Sequence, residues 1–375
     1  MLTIAVSSRA LFHMEDGHKI FLEQGADAFD AYMRDKEATP LRQGAAFPLV
    51  KKLLALNTKG IKRDRVEVIL LSRNSPDAGI RVMHSVQHYG LDIERAVFAQ
   101  GSDRFRYAQA LGAQLFLSVN PADVEASIQK GLAAATMVAR ETKMNDDDAV
   151  VRIAFDGDSV LFSNESDLVF QEEGLAKFTS SEVAKANIPL QAGPFKPFLE
   201  ALSQMQQEFP AENVPLKIGL VTARGCPAHE RVLKTLRTWN IRLDEAIFAG
   251  GRPKGPLLKA FGADVFFDDA PRNIENAAQH DIASGQVPYG NGHGIGTENQ
   301  VNANPHERQS RKLVSHPSGG HQLAVPEPQV QNPEQTDLVP LAAEQRPEQI
   351  LPNEPQKLQN SQPESRPAIR LKMGR

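Results

Sequence analysis

Val151-Arg-Ile-Ala-Phe155 runs directly into Asp156-Gly-Asp158. The run has the length of a buried strand and is too short for a helix. Two carboxylates then fall at its carboxyl end, separated by one glycine. The same form recurs downstream. Leu216–Val221 is followed by Thr222-Ala223-Arg224-Gly, Glu245–Phe248 by Gly250-Gly-Arg-Pro-Lys254, and Asp264–Phe267 by Asp268-Asp269. Stretches of helical length lie between the runs, at Pro227–Trp239, Gly255–Phe261 and Pro271–His280. Strands that are apolar throughout and alternate with helices predict parallel sheets covered on both faces, an α/β, doubly wound, Rossmann-like architecture. Sites in such sheets lie at the carboxyl ends of the strands, where these polar residues gather.

Working outward, the pattern occurs twice. Val66-Glu-Val-Ile-Leu-Leu-Ser72 matches Leu216-Lys-Ile-Gly-Leu-Val-Thr222, and Leu91–Gly101 matches Ile241–Gly251, both 150 residues apart. Ala110–Phe116 matches Ala260–Phe266 in the same register. Earlier in the copies the offset is 149, with Ile20–Gly25 opposite Val169–Gly174 and Ser7 opposite Asp156. A period this long marks a duplicated domain and not a solenoid. The first copy repeats the strands at Thr3–Val6, Val66–Leu71, Arg95–Phe98 and Gln114–Leu117. Its helices are expected at Pro48–Leu56, Ala78–His88, Phe105–Leu111 and Ala122–Gly131, the first of these matching Pro197–Gln207. The expected organisation is a first copy over 1–149, a second over 150–290 carrying an insert at about 159–213, and a tail over 291–375. The tail has no Phe, Trp or Tyr, is rich in Pro, Gln, Asn and Glu, and balances nine acidic against nine basic side chains. It cannot bury enough apolar surface to offset its ordering entropy, so disorder is expected.

Strand ends of one parallel sheet converge, so the polar residues of the second copy can share a pocket. Together they supply the parts of metal-assisted phosphoryl transfer. A carboxylate, Asp156, can attack phosphorus and split one displacement into two. Anion meets anion in that attack, which calls for a divalent cation, and Mg²⁺ takes oxygen ligands. Asp156 and Asp268 offer carboxylates, Asp158 its main-chain carbonyl, and Asp269 completes the acidic set. The Asp158 side chain can protonate the leaving oxygen and later deprotonate water. Thr222, with Ala223 and Arg224 in its loop, can bind phosphoryl oxygens, and Lys254 can balance charge, with Lys259 as a nearby competitor. Each motif alone has a plainer reading, as a turn, a helix start or a helix cap. Their succession at four strand ends favours the chemical one.

This order resembles the haloacid dehalogenase superfamily of phosphotransferases over Val151 to His280. A closer resemblance spans both copies. Ile4–Phe12, Ala154-Phe-Asp-Gly-Asp-Ser-Val-Leu-Phe162, Val265-Phe-Phe-Asp-Asp269 and Val287-Pro-Tyr-Gly290 are similar to the cytosolic 5'-nucleotidase type I family. That resemblance implies Mg²⁺-dependent hydrolysis of nucleoside 5'-monophosphates, AMP and deoxynucleotides among them. The alternatives are a phosphatase of another small ester, such as a sugar phosphate, or a nucleotide-binding regulator without activity.

The first copy lacks the carboxylates. Ser7 and Arg9 stand opposite Asp156 and Asp158, Arg104 opposite Lys254, and Ser118-Val119 opposite Asp268-Asp269. Ser7, Arg9, Ser72 and Arg73 can be read as an anion site, but packing against the catalytic copy is the preferred reading. In the insert, Phe162, Phe170 and Phe178 can stack on a base, although at least two of them are expected in a core. The lone Cys226 excludes a disulfide framework within the chain and is expected as a buried or half-buried filler. The net charge of −4 gives no basic surface for nucleic acid. No run approaches the roughly 18 apolar residues of a membrane span, so no membrane partner and a cytoplasmic location are expected. A homo-oligomer is left open.

Overall fold

The structure, a computed structural model, describes residues 1–58, 64–138 and 149–289. The tail expected at 291–375 lies outside the described residues. The strands are β1 (Leu2–Val6), β2 (Phe12–His13), β3 (Arg42–Gln43), β4 (Val66–Ser72), β5 (Arg95–Phe98), β6 (Leu115–Ser118) and β7 (Ala133–Met137), then β8 (Val151–Phe155), β9 (Leu216–Thr222), β10 (Glu245–Phe248), β11 (Val265–Asp268) and β12 (Ala283–Gln286). β2 and β3 pair only with each other.

The other ten form one sheet in the order β10-β9-β8-β11-β12-β7-β6-β1-β4-β5. Read from the centre, the five strands of each copy run outward in the same sequence. Separate parallel sheets were expected; the copies instead share one, through a single antiparallel seam that sets Gly285 opposite Met137 and Gln286 opposite Thr136. β7 and β12 were absent from the expected strands. Ala133-Ala-Ala-Thr-Met137 and Ala283-Ser-Gly-Gln286 are built mainly of small residues with weak strand preference. Their smallness suits the seam. A Cβ on Gly285 would stand 2.8 Å from the Phe267 ring and 2.9 Å from Ala135 Cβ.

The continuous apolar strands are buried as expected. β8 and β9 admit water only at their second residues, Arg152 and Lys217. The helices Phe47–Ala55 and Lys196–Gln206 each also touch the first strand of the opposite copy, β8 and β1 respectively. Lys52 Nζ lies 2.6 Å from Asp264 Oδ1 across this contact, and Asp264 Oδ2 accepts from the Arg152 N–H at 2.7 Å. Behind the carboxyl ends of β8 and β11, Phe155 stacks on Phe267 at 5.6 Å, and Phe195 lies 5.0 Å from Phe267. Interlocked rings of this kind fix the strand ends that carry the site. Among the described residues, no helix is long and apolar enough to cross a membrane.

Gly285→Val should drive a side chain into Phe267 and Ala135 and cost about 2 kcal/mol, the usual range for an overpacked core. Urea unfolding measures this, and an unchanged midpoint would contradict the tightness of the seam.

Candidate active site

β8 and β11 run side by side with Phe155 opposite Phe267. The residues that follow, Asp156 and Asp268, therefore emerge as neighbours, and the Asp156 N–H donates to Phe267 O at 2.8 Å. On the other flank β9 pairs with β8 and ends in the buried Thr222. Lys254 caps the start of the helix Gly255–Phe261 and points back under the strand ends. Its Nζ stands 2.7 Å from Asp156 Oδ1 and 2.7 Å from Asp268 Oδ2, at 1% exposure for the residue. Lys259, the competitor, is exposed.

Asp268 is held from the other side as well. Its Oδ1 accepts from the Ala270 N–H at 2.8 Å, and Asn273 Nδ2 donates to both carboxylate oxygens at 3.0 Å. Asp268 does not cap the helix Pro271–Ala278, whose N-cap is Ala270 without a side-chain bond; it holds the turn that leads into it. Asn273 was not among the expected residues; nothing in an Asn within a helix marks it as a partner of the strand end before it.

Asp156, Asp268 and Asp269 bring carboxylate oxygens within 4.8 Å of one another. Burial, then the charges of Asp156, Asp268 and Asp167, push Asp269 up to about 9. Burial also raises Asp156 to about 7; Lys254 opposes this, while Asp268 and Asp158 add to it. Burial acts to lower the Lys254 pKa, but Asp156 and Asp268 outweigh it and hold the ammonium above the ordinary lysine value. Three crowded carboxylates exceed what one ammonium balances. An all-oxygen, anionic donor set of this kind fits a hard divalent cation.

A further acid, Asp167, also belongs to this field. Its pKa is pushed to about 6 by burial and by the charge of Asp158, although Ser159 Oγ donates to it at 2.7 Å. Reading strand ends could not find it, because it comes from the insert helix Glu165–Ala184.

The Asp158 side chain turns away from Lys254 to a different cation. Arg224 Nε and Nη2 each donate to it at 2.6 Å, and the third guanidinium nitrogen, Nη1, bonds Glu182. The arginine expected as a phosphate ligand is therefore engaged with Asp158 and the insert. Thr222 Oγ1 accepts from the Arg224 N–H at 3.3 Å, which leaves its O–H to donate elsewhere. Ala223 is exposed in the same loop.

Two expectations need correction. Cys226 is exposed, not a buried filler, because it sits on the outer turn after Arg224. Of the three insert phenylalanines only Phe162 is core, fully buried 5.4 Å from Trp239. Phe170 is 48% exposed and meets Phe178 edge-on at 6.1 Å; Phe178 in turn lies 5.2 Å from the Arg224 guanidinium. The insert also divides. Its part Lys196–Gln206 packs on the sheet, with Phe198, Leu199 and Leu202 fully buried.

In the first copy the equivalent groups are tied to one another. Ser7 Oγ caps Ala10 N at 3.2 Å, Ser8 Oγ meets Ser72 Oγ at 2.9 Å, and Arg9 pairs with Glu15 at 3.0 Å. Arg73 and Arg104 both bind Asp123. This internal pairing accords with the packing reading.

A family model described as 5'-nucleotidase matches residues 1–294. Human cytosolic 5'-nucleotidase 1B is 39% identical over 286 residues, covering 74% of this chain and 47% of that protein. The chain thus spans about half the length of this curated relative. Among solved structures, histidinol dehydrogenase from Elizabethkingia anophelis aligns over 66% of this chain and 50% of its own, at 10% identity and a TM-score of 0.20, a likeness too slight to carry any argument. The family match runs through both copies and takes in every strand-end residue described above, and on that ground the chain belongs to the 5'-nucleotidase family.

Proposed function

We propose that this protein is a phosphoric monoester hydrolase that releases phosphate from nucleoside 5'-monophosphates in one active site per chain. The observation that carries the reading is Lys254 Nζ at 2.7 Å from both Asp156 and Asp268, buried at the ends of β8 and β11. The alternative of a regulator without activity is less well supported, because the first copy shows what loss of the carboxylates looks like in the same fold.

The assigned course is a double displacement. An Asp156 oxygen forms a bond to phosphorus as the bond to the nucleoside 5'-oxygen breaks. Asp158 gives its proton to that departing oxygen. A water then attacks the aspartyl-phosphate, Asp158 takes the proton back, and the bond between phosphorus and the Asp156 oxygen breaks to free phosphate. Lys254 opposes the protonation that burial favours at Asp156 and faces the charge of the transferring group. The Thr222 hydroxyl donates to a phosphoryl oxygen. Asp156, Asp268 and Asp269, with the Asp158 carbonyl, are the residues that would hold Mg²⁺. When bound, that cation supplies the charge neutralisation that three carboxylates and a phosphate require.

The helix Glu165–Ala184 is assigned as the cap over this pocket. Among the three insert phenylalanines considered, Phe178 is the one beside a site residue, which supports it as the surface for a nucleobase.

Asp156→Asn should lower phosphate release from adenosine monophosphate below about a thousandth of wild type, in line with removal of a covalent nucleophile. Retained turnover would refute its role. Chelation with EDTA should abolish release and added Mg²⁺ should restore it; activity indifferent to EDTA would remove the metal from the scheme.

A further inference from the structure

Glu182 has no place in the scheme above, yet it is 2% exposed and fully engaged. Its Oε2 bonds Arg224 Nη1. Its Oε1 accepts from Arg231 Nη1 at 2.8 Å and from Ser166 Oγ at 3.0 Å. Arg231 continues outward to Glu165 at 2.6 Å. A line of alternating charge thus runs from Asp158 through Arg224, Glu182 and Arg231 to Glu165.

Buried ion pairs are seldom the cheapest way to hold a fold, because the desolvation they require can exceed the attraction they gain. The duplication provides the control. Arg231 has an exact counterpart in Arg81, which makes the same bond: Arg81 Nε donates to Thr39 O at 2.9 Å, and Arg231 Nε to Ile188 O at 2.8 Å. At the position of Glu182 the first copy has Met33, whose sulfur stands 3.7 Å from Arg81 Nη1. At the position of Arg224 it has Asn74, and at that of Asp158 it has Arg9. The scaffold survives in the copy that lost the nucleophile, whereas Glu182, Arg224 and Asp158 are lost together. These three therefore answer to the chemistry and not to the fold.

We propose that Glu182 is a positioning residue for Asp158, which it reaches through Arg224. The inference rests on the hydrolase reading given above. A guanidinium is a rigid fork. With Nη1 pinned by Glu182, its Nε–Nη2 edge presents a fixed pair of donors to Asp158. Each Asp158 oxygen spends one lone pair on that edge and keeps another for a proton. The carboxylate is thereby fixed where the departing oxygen and the incoming water must meet it, and small misplacements of such a group cost much of the rate. Because Glu182 lies near the end of the insert helix, the cap contributes to the acid–base machinery and does not only cover it.

The test is a double-mutant cycle on adenosine monophosphate with Mg²⁺, using Glu182→Gln, Asp158→Asn and the double variant. General acid–base groups contribute about 10²–10⁴ in rate, so Glu182→Gln should lower kcat by at least about tenfold with little change in KM. In the Asp158→Asn background the same change should cost less than about twofold, since the group it serves is gone. Arg224→Lys, which keeps the charge and loses the fork, should behave like Glu182→Gln. Glu165→Gln, at the outer end, should leave kcat near wild type. Thermal unfolding of each variant checks that it is folded, and should Glu182→Gln fail to fold, Arg224→Lys carries the cycle. Equal losses in the two backgrounds, or no loss in either, would overturn the role of Glu182. A wild-type protein that releases no phosphate would instead overturn the hydrolase reading.

Discussion

The site depends on one buried ammonium. Asp156 and Asp268 come to the same place because β8 and β11 are adjacent and in register, and like charges in a dry place repel. Lys254 between them makes the arrangement tolerable. Much of the local structure serves that contact. The loop after β10 returns the chain to the strand ends, and the short helix Gly255–Phe261 starts at the lysine itself. The aromatic layer of Phe155, Phe195, Phe198 and Phe267 lies immediately behind and keeps both strand ends from yielding. Asp269 is pushed up to about 9 by its burial and then by the charges of Asp156, Asp268 and Asp167, which the ammonium only partly offsets.

Asp158 solves the same problem separately. It is two residues from Asp156 but draws on Arg224 instead of Lys254. Two neighbouring carboxylates thus have different counter-ions, and each counter-ion follows a different strand. Asp156 is held by the sheet. Asp158 is held in part by the insert, through Arg224 and Glu182.

Much of this was legible in the sequence. Apolar runs of strand length located β1, β4, β5, β6, β8, β9, β10 and β11, and the polar ends of the last four gave Asp156, Asp158, Thr222, Lys254, Asp268 and Asp269 as one group. Position along a strand is a local property, so local patterns reveal it. What escaped notice depends on tertiary partners. Asp167, Glu182 and Asn273 lie within helices, where an acidic or amide side chain ordinarily faces water. β7 and β12 lack the branched and aromatic residues that announce a strand. Phe170 and Phe178 look like core residues in sequence and are not, because the insert segment Glu165–Ala184 buries only Ser166 and Glu182.

The seam and the repeat explain each other. Two copies joined through small-residue edge strands leave no unpaired edge at the centre of the sheet, so each protects the other from wrong pairing. Once joined, they were free to diverge at the strand ends without loss of the scaffold. Ser85 and Thr235 still receive Leu41 N and Leu190 N at 3.0 and 2.9 Å, and Gln114 and Asp264 still bind Thr3 N and Arg152 N. Ser118 and Asp268 still receive the amide two residues on. What has changed is charge at the mouth of each half. In one copy Asp123 gathers two arginines; in the other a lysine and an arginine pair with four acids. A fold that keeps its hydrogen bonds while exchanging its charges separates what holds it together from what it does. Asp264 is the instructive exception, since one of its oxygens keeps the scaffold bond to Arg152 N while the other binds Lys52 of the opposite copy. There the charge serves assembly, and it lies at the opposite end of the strand from the chemistry.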